Sequence, residues 1–223
     1  MALGAAMDQT YPALVTGASR GLGAAIAKRL AHRFHVVAVA RTQGGLEELD
    51  DAIQQAGGQA TLAPMDVTDA GAMQHLCRSI HDRWGGLAVW AHTAITPPPL
   101  TPADMVSEKD MASALKTNVT ALARLIPYVS PLLRAAGGGD ALFFDDEKPA
   151  KFAGPYNATK AAQRALVQAW QAESTADGAP RIHLLRPEPM PTAIRARFHP
   201  GEDKSRLATP MQEAERLLEP LGF

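Results

Sequence analysis

Six short apolar runs, each leading into a longer stretch, constrain this chain more than any other feature. The runs are Ala13-Leu14-Val15, His35–Ala40, Ala60–Met65, Leu87–Ala91, Ala141–Phe144 and Arg181–Leu185. His35–Ala40 is nearly all apolar and rich in valine, which suits a strand covered on both faces. Between the runs, Ala24–Arg33, Leu46–Ala56, Asp69–Trp84, the long region 103–134 and Pro155–Ala172 read as helices. The chain after the sixth run is punctuated by prolines, with a last short helix expected at Met211–Leu218. In Asp69–Trp84 the residues Met73, Leu76, Cys77, Ile80 and Trp84 recur at helical spacing and form one apolar face. Pro127 and Pro131 should bend the end of the long region, because each removes a backbone donor. Parallel neighbours in a sheet need a crossover, so this alternation predicts an α/β fold. The expectation is one doubly wound domain, a parallel sheet of about six strands with helices on both faces.

The 223 residues suit a single domain at roughly 100–200 residues per domain, so 1–223 is read as one. A net charge of −1 gives no bulk attraction to nucleic acid or to an anionic membrane. No apolar run approaches the roughly 18 residues of a membrane span, and Met1–Met7 lacks the basic start of a signal peptide. These features predict a soluble, cytoplasmic protein that acts on a small molecule, with no nucleic-acid or membrane partner. A single cysteine, Cys77, excludes an internal disulfide, and its place on a core face predicts an inert thiol. His32, His75, His81 and His199 show no metal-ligand spacing, and no metal site is expected.

Ligands of doubly wound sheets bind beyond the strand C-termini, where the strand order reverses. The unusual residues fall there. Thr16-Gly17-Ala18-Ser19-Arg20-Gly21-Leu22-Gly23 joins the first run to the first helix. Glycines at such a turn let a pyrophosphate approach the backbone, and the free N–H groups of the helix start meet its charge. Tyr156 and Lys160 lie one helical turn apart, about 6 Å along the axis and on one face. An ammonium beside a phenol favours the phenolate and so lowers a pKa that is about 10 when unperturbed.

Thr16 with glycines at 17, 21 and 23 resembles the short-chain dehydrogenase/reductase family, whose glycine motif is TGxxxGxG. Asp66-Val67, Asn118 in Lys116-Thr117-Asn118-Val119, the Tyr156-x-x-x-Lys160 pair, and Pro187 with Thr192 match further family motifs in the family's order. The resemblance spans about residues 10–195. It implies a Rossmann-like fold and hydride transfer between a nicotinamide cofactor and a small carbonyl or alcohol. Tyr156 is then the acid/base, with Lys160 and Asn118 as its catalytic companions. Cofactor contacts are implied at Thr16, Gly17, Ser19, Arg20, Gly21, Leu22 and Gly23. Asp66 and Val67 would meet the adenine, and Tyr156, Lys160, Pro187 and Thr192 the nicotinamide side. Arg41-Thr42 stands where an NAD site normally carries an acid, and Arg20 lies in the glycine turn. Two guanidiniums suit a 2′-phosphate, so NADP(H) is predicted over NAD(H).

Three positions depart from the family pattern. Phe143, thirteen residues before Tyr156, stands where relatives carry a catalytic Ser. Thr93-Ala94-Ile95 replaces Asn-Ala-Gly, and Glu188 replaces the Gly after Pro187. His92, Thr93 and Asp145 are the conceivable substitute donors, and Asp145-Asp146-Glu147 reads otherwise as a solvated acidic loop. The alternative reading is therefore a non-catalytic NADP(H)-binding sensor or scaffold. The resemblance also implies a homodimer through the fourth and fifth helices, here 103–134 and 155–172. Leu122, Leu125, Val129, Leu132, Leu133, Ala161, Leu166, Val167 and Trp170 could serve that interface or the core. Relatives continue into a seventh strand, whereas this sequence stops at Phe223, which predicts an abbreviated C-terminus and a dimer over a tetramer.

Overall fold

The computed structural model describes residues 11–145 and 151–223. Six strands form one parallel sheet: β1 (Ala13–Thr16), β2 (Val36–Ala40), β3 (Ala60–Pro64), β4 (Val89–His92), β5 (Asp140–Phe144) and β6 (Arg181–Leu185). Their order is β3-β2-β1-β4-β5-β6, with all neighbours parallel. The chain winds one way from β1 to β3, then returns to β1 and winds the other way, so the switch lies between β1 and β4. Thr16 pairs with His92 there, and His92 in turn with Phe143.

Every residue of β1, β2 and β4 is buried, as apolar strands covered on both faces must be. Successive side chains point to opposite faces and feed two cores. Ala13 and Val15 join α1 (Gly21–Leu30) and α2 (Gln43–Gln55) through Ile26, Leu30, Leu46 and Ile53. Leu14 and Trp90 join the other core, with Met73 of α3 (Ala70–Trp84) and Leu125 and Val129 of a later helix. The apolar face read in the third helix is real: Met73, Cys77 and Ile80 are buried, and Leu76 and Trp84 are half-buried.

The structure corrects the long helical region. It contains a single turn at Ala103–Met105, then α4 (Glu108–Leu115), a π-turn at Lys116–Thr120, and α5 (Ala121–Ala135). Ser107 caps α4 by accepting from the Asp110 N–H, which is why the helix restarts there. The π-turn carries Asn118, as such bulges often do at functional positions. Pro127 and Pro131 lie inside α5 without ending it. α6 (Gly154–Glu173) follows. The proline-punctuated tail holds one more helix than expected, α7 (Ala193–Phe198), capped by the Thr192 hydroxyl, before α8 (Pro210–Leu218).

Of the nine positions assigned to core or interface, seven are buried within the chain; Ala161 is exposed and Leu166 half-buried. Among the described residues no helix is long and apolar enough to cross a membrane, and no His/Cys/Asp/Glu cluster could hold a metal. Burial pushes the Cys77 thiol up to about 11, consistent with an inert side chain.

Candidate functional site

A cleft of about 830 Å³ opens along the C-terminal ends of the strands, across the switch. All the site residues expected from sequence line it except Thr16 and Asn118, which lie behind its wall.

The glycine turn is built by contact as much as by conformation. Gly17 has φ +88°, and a Cβ there would lie 2.6 Å from the Ala94 nitrogen. A Cβ on Gly23 would fall 2.3 Å from the Gly17 carbonyl oxygen and 2.4 Å from Thr93 Oγ1. The Thr93 hydroxyl donates to the Thr16 carbonyl at 2.9 Å, tying the loop after β4 to the turn. Thr93, one of the three conceivable substitute donors, lines the cleft while its hydroxyl bonds the backbone of the turn. No side chain caps α1, and its first turn holds no acid. The helix start therefore presents its N–H groups and positive pole to an anion.

Beyond β2 and β3 the cleft is charged and open. Arg41 Nη1 lies 3.9 Å from Asp66 Oδ2, with both side chains well exposed. Asp66 Oδ1 accepts from the Thr68 N–H at 2.8 Å, which fixes the carboxylate at the strand end, and Val67 is buried beside it. Arg20 is exposed at the lip of the turn. Together, the uncapped helix, the turn with no room for a side chain at Gly17 or Gly23 and two exposed guanidiniums fit a dinucleotide with a phosphorylated ribose.

The other end is buried and already paired. Tyr156 and Lys160 are 5% and 6% exposed on one face of α6. The Tyr156 ring packs edge-on against Phe198 of α7, 4.9 Å between centroids, and Lys160 Nζ donates to the Phe144 carbonyl. Asn118 accepts from the Thr96 N–H at 2.7 Å and donates to Thr96 O and Thr159 Oγ1, each at 3.0 Å. Thr159 in turn donates to the Tyr156 carbonyl at 2.8 Å. The π-turn thereby fastens the loop after β4 to the turn of α6 that carries Tyr156 and Lys160.

Phe143, the last residue but one of β5, shares a core with Trp90, edge-on to it at 5.2 Å and to Trp170 at 6.1 Å. Its register partner His92 is held through Nδ1 by Thr16 Oγ1 at 2.8 Å, while Nε2 has no hydrogen-bond partner among the described residues. Burial, with the Lys160 charge second, pushes the His92 imidazole down to about 3, so it is neutral near pH 7.

Asp145 is a correction. It is 2% exposed rather than solvated, and its Oδ2 lies 2.9 Å from Arg164 Nε in an ion pair across to α6. Asp146 and Glu147 lie outside the described residues. Sequence reading missed Thr96, Thr159 and Arg164. Only Thr159, next to Lys160, offered a local signal.

Residues 12–203 match the family model described as short chain dehydrogenase. The chain belongs to the short-chain dehydrogenase family. Similar family members include a fatty acyl-CoA reductase of Acinetobacter baylyi, 54% identical over 69 residues, which are 30% of this chain and 23% of that protein. A fatty acyl-CoA reductase of Mycobacterium tuberculosis is 31% identical over 78% of this chain and 61% of its own. The chain therefore spans less than two thirds of the length of either of these curated relatives. Among solved structures, an alcohol dehydrogenase of Thermococcus sibiricus complexed with 5-hydroxy-NADP is 26% identical, with a TM-score of 0.82 over 96% of this chain and 91% of its own. Both of these curated relatives are named as reductases, and the solved neighbour as a dehydrogenase.

Proposed function

We propose that the protein is an NADP(H)-dependent oxidoreductase that moves hydride between the nicotinamide and a small carbonyl or alcohol. The observation that carries this reading is the pairing of Tyr156 and Lys160, buried on one helix face and opening into the same cleft as the glycine turn. The nicotinamide, when bound, supplies or accepts the hydride. The residues of this chain then hold and move the proton: Tyr156 Oη exchanges it with the carbinol oxygen, and Lys160 sets the charge beside the phenol. Arg41 and Arg20 favour the 2′-phosphate of NADP(H) over the bare ribose of NAD(H). The NADP-type ligand of the Thermococcus relative supports that choice.

Phe143 sets the expected level of activity. It cannot donate a hydrogen bond to a substrate oxygen, and losing one such donor typically costs about 10²–10³ in rate. The protein should therefore be a slow enzyme. The test is NADPH oxidation against a carbonyl panel headed by fatty acyl-CoA thioesters and aldehydes, the class suggested by the names of two relatives. Tyr156→Phe should lower turnover at least about 100-fold without weakening NADPH binding. Phe143→Ser should raise turnover if it stays folded. Turnover indifferent to Tyr156 would sink the proposal.

A further inference from the structure

β6 ends at Leu185, and the chain then crosses the mouth of the cleft as Arg186-Pro187-Glu188-Pro189-Met190-Pro191-Thr192. Prolines at 187, 189 and 191 remove three backbone donors, so neither a sheet neighbour nor a helix can hold this strap. Something outside it must. That partner is α8, through Glu213 and Arg216.

Glu213 is 1% exposed. Its Oε1 accepts from the Glu188 N–H at 2.7 Å. Arg216 grips the same carboxylate with two donors, Nε to Oε2 at 2.8 Å and Nη2 to Oε1. Nη2 also donates to the Arg186 carbonyl at 2.9 Å. The pair thus holds the strap on both sides of Pro187. A carboxylate this deeply buried is tolerated only while fully paired, so the path of the strap and the seat of α8 depend on each other. The far end of the strap closes on the glycine turn: a Cβ on Gly21 would lie 3.4 Å from Thr192 Cγ2. α8 itself packs on α1, the helix that opens from that turn.

We propose that Glu213 and Arg216 are positioning residues that set the 186–192 strap against the reacting half of the dinucleotide. The inference rests on the dinucleotide reading above. It separates the two halves of the ligand, because Arg41 and Asp66 follow β2 and β3, on the opposite side of β1 from β6, where the strap begins. Affinity for the whole dinucleotide depends on the pair, and affinity for its adenine half does not.

The test is a titration, read by tryptophan fluorescence, of NADPH and of 2′,5′-ADP on the full chain and on Glu213→Ala. Losing a charge-assisted anchor should weaken NADPH binding roughly tenfold and leave 2′,5′-ADP binding unchanged. A merely structural role for α8 would shift both ligands together. The double variant Glu213→Gln with Arg216→Gln leaves no buried charge and serves if Glu213→Ala does not fold; the same split is expected from it. Equal shifts for the two ligands, or none, overturn the inference alone. A wild-type protein that binds neither ligand removes the dinucleotide reading, and this inference with it.

Discussion

The two ends of the cleft are organised on opposite principles. At the β1–β3 end the polar groups are exposed side chains and backbone, placed by neighbours a few residues away: Asp66 by Thr68, and the start of α1 by its own glycines. At the β4–β6 end they are buried and held by partners distant in sequence: His92 by Thr16, Asn118 by Thr96 and Thr159, Asp145 by Arg164, and Glu213 by the Glu188 N–H. An open end can be altered one side chain at a time. A closed end responds as a network, because removing one buried partner strands another.

The sharpest test of that contrast is steric, at the seam between the two ends. Gly23→Ala drives a Cβ to 2.3 Å from a backbone oxygen, so the turn, the Thr93 tie or α1 must shift. Such overpacking typically costs about 1–3 kcal/mol. It should also abolish measurable NADPH binding, because the shift moves the donors that meet the pyrophosphate. Gly44→Ala, in α2, is the control, since a Cβ there meets nothing within 4 Å. It should bind NADPH normally and melt slightly higher, as Ala favours a helix over Gly by up to about 1 kcal/mol. Normal NADPH binding by Gly23→Ala would show that the turn is not the cradle.

A smaller effect belongs to the open end. Arg41→Ala removes an exposed guanidinium with one weak carboxylate contact at 3.9 Å, so stability should hardly change. NADPH affinity should fall about 10- to 100-fold, the range of a lost charge-assisted contact, and NADH affinity should stay where it was. Parallel loss of both affinities would mean that Arg41 serves the fold of the adenine end rather than the 2′-phosphate.

The same contrast explains what the sequence disclosed. The strands were legible because β2 is an apolar run with no competing pattern, and the glycine turn because its motif is written within eight residues. The family motifs carried the cleft lining with them, since thirteen of fifteen expected site residues reach it. The buried end was illegible wherever a partner lay far along the chain. Asp145 sits in an acidic tripeptide that any local reading puts in water, yet Arg164, nineteen residues on, draws it inside. The break at Lys116–Thr120 is set by Asn118 bonding to Thr96 and Thr159, and no helical periodicity reveals it. Nothing local to Glu213 in the last helix marks it as buried, because its partner, the Glu188 N–H, lies 25 residues away.

The smallest effect is a pH dependence of stability, and it arises at the closed end. His92 is neutral in the folded chain, pushed down to about 3 by burial and then by Lys160, whereas an unfolded histidine titrates near 6.5. Between those values the unfolded chain binds the extra proton. Stability from this group is therefore complete above about pH 6.5 and declines as the pH falls, by at most about 1.4 kcal/mol per unit. Asp140 acts with the same sign at lower pH. Its burial alone would raise the carboxyl, but hydrogen bonds from His183 and Arg181 outweigh it and hold the group below its ordinary value, so its contribution is lost through the carboxylate range. Over pH 7.5 to 5 the His35 imidazole, also held down by burial, acts with the same sign, so comparing melting curves with those of His92→Gln is what isolates His92. The wild type should lose stability over that interval, and His92→Gln, which can still bond to Thr16 but cannot titrate, should lose less. Identical slopes would place His92 in contact with water, and the end of the cleft described as closed would then be open.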